Sequence, residues 1–225
     1  MKKKYKMIPE GNMYRVEALR NFGDVKKGDV GGLVENECNL SHDGNSWVYE
    51  EAMVYGNAQI YDDARVYGHA KVYGSARVGD CAKVYGTAAV FDNAKVREKA
   101  VIYGNVCIYE YAQVRDRAKV YGSARIRGNA EVFDKAKVYG DVQIYDSVRV
   151  YDKAVVSGSS IVHGAAEIGD CAKICSEADY IVFKNWWSSG RYFTWTRSNN
   201  LWKVGCFFGS GEELIKKAYS DSEDK

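Results

Sequence analysis

The chain has 225 residues, with 32 Lys and Arg against 30 Asp and Glu and a net charge of +2. The balance is local as well as global: 8 basic against 7 acidic residues in 1–47, 17 against 18 in 48–179, and 7 against 5 in 180–225. This excludes the concentrated positive field that nucleic acid demands, and no apolar run reaches the ~20 residues of a membrane-spanning helix.

Residues 1–47 read as an N-terminal cap running into a degenerate first coil. Lys2, Lys3 and Lys4 form a small basic tip read as a solvated terminus. The Met7-Ile8-Pro9-Glu10 that follows is not the apolar stretch of a signal peptide. The expected location is therefore the cytoplasm, with no membrane partner. Val30-Gly31-Gly32-Leu33-Val34-Glu35 is expected to lie in register eighteen residues before Val48, and Asp43-Gly44-Asn45-Ser46 supplies a corner. Trp47 is placed to cover the open edge of the first coil.

Residues 48–179 repeat one six-residue unit twenty-two times. Val or Ile stands at every sixth position from Val48 to Ile174, and Ala, or sometimes Val or Ser, follows four places later, from Ala52 to Ala178. In Ala58-Gln59-Ile60-Tyr61 alternation sends Ala58 and Ile60 to an interior and Gln59 and Tyr61 outward. The pairs between, such as Asp62-Asp63 and Gly56-Asn57, are turn chemistry. A period of six does not fit a helix.

Taking every third unit exposes a longer period. Tyr49, Tyr67, Tyr85, Tyr103, Tyr121 and Tyr139 form one column, with Gly68, Gly86, Gly104, Gly122, Gly140 and Gly158 beside it. Asp62, Asp80, Glu98, Asp116, Asp134, Asp152 and Asp170 form an acidic column, with Arg65, Lys83, Lys119, Lys137 and Lys173 three positions on to offset its repulsion. A broken row of Tyr55, Tyr73, Phe91, Tyr109 and Tyr145 makes a second aromatic stripe. Identity thus returns every eighteen residues. The predicted fold is all-β, a single-stranded parallel β-helix of triangular section with three units per coil and about seven coils, roughly 35 Å long at ~4.8 Å per coil.

Residues 180–225 form a Trp-rich C-terminal cap module. Strands are predicted over 180–184, 191–197 and 201–208, with Ser198-Asn199-Asn200 as a hairpin turn. Ser210-Gly211-Glu212-Glu213 opens a helix of about two turns through Tyr219. Trp186, Trp187, Arg191, Trp195, Arg197 and Trp202 could hold a ligand or partner by stacking and charge. The plainer alternative is that the Trp residues plug the open solenoid.

The aliphatic-x-x-x-Ala-x unit, as in Val54-Tyr55-Gly56-Asn57-Ala58-Gln59, resembles the hexapeptide-repeat left-handed parallel β-helix proteins. The Val-Tyr-Gly-Asn-Ala variant is similar to bacterial and phage members described as polymer-forming or transferase-like. The resemblance implies a left-handed wind. Through the family's best-known enzymes it also implies a trimeric acyltransferase using acyl-CoA, with a His base near the cleft between subunits. This chain departs from that pattern, because no loop interrupts the coil between 48 and 179. His69 occupies a corner slot. His163 replaces a ladder Tyr near the C-terminal cap and is the better candidate base, although no catalytic residue is assigned.

The six Cys form no disulfide framework, and Cys81 and Cys171 stand five coils apart. No cofactor and no metal are expected. The acidic column reads first as corner chemistry and solubility, with a basic partner or ordered Ca²⁺ as functional alternatives. The function read from the sequence is a non-catalytic scaffold or protein-binding rod. It would contact a protein partner or itself through the Tyr columns and the Trp-rich end, with the acyltransferase as the alternative.

Overall fold

The computed structural model describes residues 3–186 and 190–223. The repeat winds into a parallel β-solenoid of about eight coils at eighteen-residue spacing. Each unit contributes a strand of only two residues in most cases, such as Arg65–Val66 beneath Lys83–Val84 and Lys83–Val84 beneath Val101–Ile102. The backbone bonds run coil to coil: Arg65 donates to Ala82 and Tyr67 to Val84, each at 2.9 Å. Three faces result, with rungs at 48 plus multiples of eighteen, at 54 plus multiples of eighteen and at 60 plus multiples of eighteen.

The interior is filled as the alternation predicts. The Val or Ile at every sixth position from Val48 to Ile174 is buried, and so is each small partner from Ala52 to Ala172. Large and small side chains interdigitate, so a thin core has no room for solvent. Each buried Val or Ile contributes roughly 1.5–3 kcal/mol. The final partner, Ala178, breaks the rule: it lies exposed in a short 3-10 turn at Glu177–Asp179, where the coil stops.

The corners explain the Gly and acid columns. Asp62, Asp80, Glu98, Asp116, Asp134, Asp152 and Asp170 all have φ between +53° and +60°. Gly68, Gly86, Gly104, Gly122 and Gly140 carry the same hand at another corner. Asp and Gly are residues that enter the left-handed region at low cost. At the Gly corner a side chain also lacks space, because a Cβ on Gly104 would stand 2.8 Å from the Gly122 carbonyl oxygen. Gly104→Val is expected to cost about 2 kcal/mol. Gly104→Asp should cost clearly less, since Asp tolerates the conformation. Urea midpoints compare the two, and equal losses would mean that the corner hand does not govern the site.

At the N-terminus, strands Tyr5–Glu10 and Met13–Ala18 pair antiparallel and join Val30–Val34, which runs parallel to Met53–Val54. The register differs from the expected one. Val34 pairs with Val54 and Leu40 with Ile60, twenty residues apart rather than eighteen. The extra two residues lie between Leu40 and Val48. Val30 pairs antiparallel with Glu17 and is 57% exposed, so it is not the first buried rung. Trp47 is buried beneath this cap, with Phe22 and Tyr5 edge-on to its ring.

At the other end, strands Tyr180–Lys184, Tyr192–Thr196, Leu201–Val204 and Phe207–Gly209 form one antiparallel sheet. The stretch read as a single strand over 201–208 turns back at Gly205, whose φ is +57°. The helix runs Gly211–Glu223, longer than predicted. Its capping box is made, with Glu213 N donating to Ser210 Oγ and Ser210 N to Glu213 Oε2.

Candidate functional site

The Tyr column stacks on itself. Tyr49 and Tyr67 lie 4.4 Å apart between ring centroids, and Tyr85, Tyr103, Tyr121 and Tyr139 follow at 5.1, 4.8 and 4.9 Å with planes within 8° of parallel. One break occurs, where Tyr67 meets Tyr85 edge-on at 6.4 Å. All six rings are half-buried, so the column offers ring edges and hydroxyls rather than open faces. Burial raises the pKa of Tyr85 and Tyr121 above the ordinary phenol. For Tyr49, burial and a 2.8 Å hydrogen bond to Asp24 raise it further.

The second stripe is longer than the sequence suggested. Tyr55, Tyr73, Phe91 and Tyr109 stack at 4.8–4.9 Å. Arg127 continues the column by laying its guanidinium 4.6 Å from the Tyr145 centroid. His163 then stacks on Tyr145 at 5.6 Å and meets Tyr180 edge-on at 6.5 Å. The Tyr180 hydroxyl accepts from His163 N at 3.2 Å and donates to the Ile161 carbonyl at 3.3 Å. The candidate base is thus an exposed ladder rung. His69 stands at an exposed corner, and His42 belongs to the N-terminal cap, stacked on Tyr5 and paired with Glu37. The three imidazoles occupy separate parts of the molecule.

The third face alternates aromatic cover with gaps. Tyr61 lies over Gly79 and Tyr151 over Gly169, where an added Cβ would run into each ring. Arg115 lies 4.1 Å from the Phe133 centroid.

The acidic column is a hydrogen-bond ladder. Carboxylates accept from the corner amide one coil on: Asp62 from Asp80 N at 3.4 Å, Asp80 from Glu98 N at 3.0 Å, Asp134 from Asp152 N at 3.2 Å and Asp152 from Asp170 N at 3.0 Å. Between Glu98 and Asp116 the carboxyls hydrogen-bond each other, which lifts the Glu98 pKa above the usual glutamate. The acids do not stand alone. The residue after them is Lys99, Arg117, Lys135 or Lys153 along the middle of the column, so cations share the corner itself rather than lying only three positions away. The result is a mixed-charge ribbon beside a groove of about 860 Å³, which Phe208 of the terminal sheet closes at one end. Among the described residues no group of three or more His, Cys, Asp or Glu could hold a metal ion.

The terminal sheet is turned the opposite way from a Trp plug. Thr194 and Thr196 are buried toward the rod, where Thr194 Oγ1 accepts from Glu167 N at 3.1 Å and Ser198 Oγ from Lys173 N at 2.7 Å. Alternation then puts Trp195, its cross-strand neighbour Trp202, Phe183 and Phe193 on the far face. The physical reason is satisfaction of the last coil's free amides, which threonine and serine hydroxyls provide and an indole ring does not. Phe183 stacks on Phe193 at 5.0 Å and meets Trp202 edge-on at 6.2 Å. Trp186 is 76% exposed with Lys184 Nζ 4.0 Å from its ring, whereas Trp187 lies outside the described residues. Arg191 sits beside Gly205, Arg197 donates its amide to the Asp179 carbonyl, and Lys203 turns to Glu167 at 3.8 Å. Trp195 and Trp202 are brought together as cross-strand neighbours.

Exposed apolar side chains gather at the ends. Of twelve large ones among the described residues, seven lie between Ile181 and Tyr219, four in the N-terminal cap, and only Tyr111 on the rod body. Tyr111 lies in none of the columns that the eighteen-residue period picks out. Its signal was available, since it is the only Tyr, Phe or Trp in the second corner slot of any of the twenty-two units.

The YdcK β-solenoid repeat family matches the chain over residues 58–70, 64–80 and 148–164, all within the body of the rod. The chain is similar to that repeat there, in keeping with the parallel β-solenoid. No curated protein matches it.

Proposed function

We propose that this protein is a non-catalytic β-solenoid scaffold that binds a protein partner, or a second copy of itself, through its C-terminal module. The observation that carries the reading is the clustering of exposed apolar side chains on that module. Ile181 is 51%, Ile215 59% and Trp186 76% exposed, beside the aromatic outer face of the sheet. Exposed apolar patches of this kind mark interaction sites. The rod then acts as a rigid spacer behind the contact. The Tyr column is the second proposed interface, read through its hydroxyl edges. The same reading takes the coil as left-handed, on the strength of the hexapeptide pattern, and places the protein in a reducing cytoplasm. All six cysteines are free, five of them exposed, which supports that compartment.

Affinity capture from the source cells with wild type and with an Ile181→Ser, Trp186→Ala, Ile215→Ser triple variant tests the proposal. The variant is expected to lose specific partners, or concentration-dependent self-association, while its far-UV circular dichroism is unchanged. Capture and assembly equal to wild type would exclude the module. A loss confined to Tyr85→Ser with Tyr103→Ser would move the contact to the Tyr column.

A further inference from the structure

We propose that the corner carrying Tyr111 is a binding site for a linear saccharide chain, distinct from the C-terminal contact. Four successive coils set Ser75, Asn93, Tyr111 and Asn129 in line along the rod. Their backbones are fixed by the coil bonds, with Asn93 N donating to Glu110, Tyr111 N to Gly128 and Asn129 N to Asp146. They border a groove of about 510 Å³ whose other wall is Arg77, Lys95, Gln113 and Glu131.

Tyr111 is 61% exposed and belongs to none of the three aromatic ladders. A single exposed aromatic is ordinary by itself. Here it stands between two carboxamides and a hydroxyl that no other protein group engages among the described residues. Asn offers both donors and acceptors, and Ser the same on one oxygen. A flat apolar ring flanked by amides and hydroxyls is the chemistry that matches a sugar, whose C–H face packs on an aromatic and whose rim is hydroxyl. The rise of ~4.8 Å per coil is close to the length of one hexose, so an extended chain can place one sugar on each coil. The central sugar would stack on Tyr111 and its neighbours would meet Asn93 and Asn129.

Charge argues against a nucleic acid in the same place. Arg77 is tied to Gln59 at 3.0 Å, and Glu131 to Arg115 at 3.3 Å. Gln59 is neutral, so Arg77 and Lys95 are the two cations of the groove among the described residues, with the carboxylate of Glu131 between the same walls, too few for a phosphate backbone. A protein partner is disfavoured because no second exposed apolar residue adjoins Tyr111.

Titration of the isotope-labelled protein with cellohexaose or chitohexaose, both extended chains, tests the site by amide chemical shift. Saturable shifts are expected at Asn93, Tyr111 and Asn129, with a dissociation constant on the order of 1 mM. Tyr111→Ala should weaken binding about tenfold or more, a loss of about 1.4 kcal/mol, without changing the melting temperature. Asn93→Ala should weaken it to a smaller extent. Absence of shifts with both hexasaccharides would overturn the proposal. So would unchanged affinity in Tyr111→Ala, or tighter binding of a short oligothymidylate to the same amides. Because Tyr111 lies on the rod body, failure here leaves the C-terminal contact unaffected, and failure of the triple variant leaves this site unaffected.

Discussion

Trp47→Ala is expected to lower stability by about 3–5 kcal/mol and to make the protein associate through its N-terminal end. The ring is 1% exposed, with Phe22 edge-on at 5.3 Å and Tyr5 at 6.2 Å. A Cβ on Gly31 would stand 2.8 Å from the indole, so the cap strand passes directly over it. Lys4 pins the same cap by donating to the Ser46 carbonyl at 2.9 Å. Removing the indole leaves a cavity and frees the strand above the first rung. An uncovered coil end carries unpaired backbone that another chain can pair with. Ile144→Ala is the control. It removes a fully buried side chain in mid-rod and should cost a comparable 2–5 kcal/mol, yet it uncovers no edge. Urea unfolding with light scattering at several concentrations separates the two. Added association in Trp47→Ala alone supports capping. The same assembly in both variants would reduce Trp47 to a stability residue.

The body of the rod could be read because its sequence period and its physical constraint coincide. Each coil must place three large and three small side chains inside and turn three corners, and a substitution at any of these is felt on both neighbouring coils. Val72 and Ala76 therefore predict their own burial. The acids at Asp62 or Asp152 predict left-handed corners, since few other side chains accept that conformation. The ladder bonds from those carboxylates to the next corner amide follow from stacking identical corners.

The ends obey no such repetition, and there the sequence is less informative. Asp43-Gly44-Asn45 has the same chemistry as any other corner, so nothing in it announces the two extra residues that shift Val34 onto Val54. Alternation in Tyr192–Thr196 separates two faces but does not say which is buried. The Trp side looked like the natural plug. The free amides of Glu167 and Lys173 decide otherwise, because they take hydroxyl partners from Thr194 and Ser198. The cations at Lys99, Arg117, Lys135 and Lys153 were visible in the sequence. They stand next to the acids in the chain, so both signs share one corner and the acids are not a column by themselves. His163 looked like a candidate base because it departs from the Tyr pattern, whereas its ring keeps the place of the aromatic it replaces.

Stability is expected to rise from about pH 8 to about pH 10 and to fall steeply above that. Lys4 drives the rise. Its side chain is fully buried, and burial, helped by Arg20, lowers its pKa from 10.5 to about 8. Within this window the unfolded chain keeps the Lys4 proton and the folded chain has lost it, so unfolding takes up a proton and stability increases with pH. The gap between 10.5 in the unfolded chain and about 8 in the folded one sets a ceiling of about 3 kcal/mol on this gain. The fall comes from the tyrosines. Burial raises Tyr55, Tyr61, Tyr73, Tyr85, Tyr121 and Tyr180 above the ordinary value of 10, pushes Tyr151 up to about 12, and holds Tyr5 and Tyr49 higher still. A raised phenol contributes fully below pH 10. It loses its contribution as the unfolded chain ionises and the folded one does not. Stacking also sets each phenolate beside another, so ionisation of one rung disfavours the next. Urea midpoints followed by far-UV circular dichroism across pH 7 to 12 should therefore trace a maximum near pH 10. Lys4→Met should flatten the rising limb and leave the falling limb in place, and Tyr85→Leu with Tyr121→Leu should make the falling limb shallower. A midpoint that stays level from pH 8 to 10 in the wild type would mean that Lys4 keeps its proton in the folded cap, held there by the Ser46 carbonyl and hydroxyl.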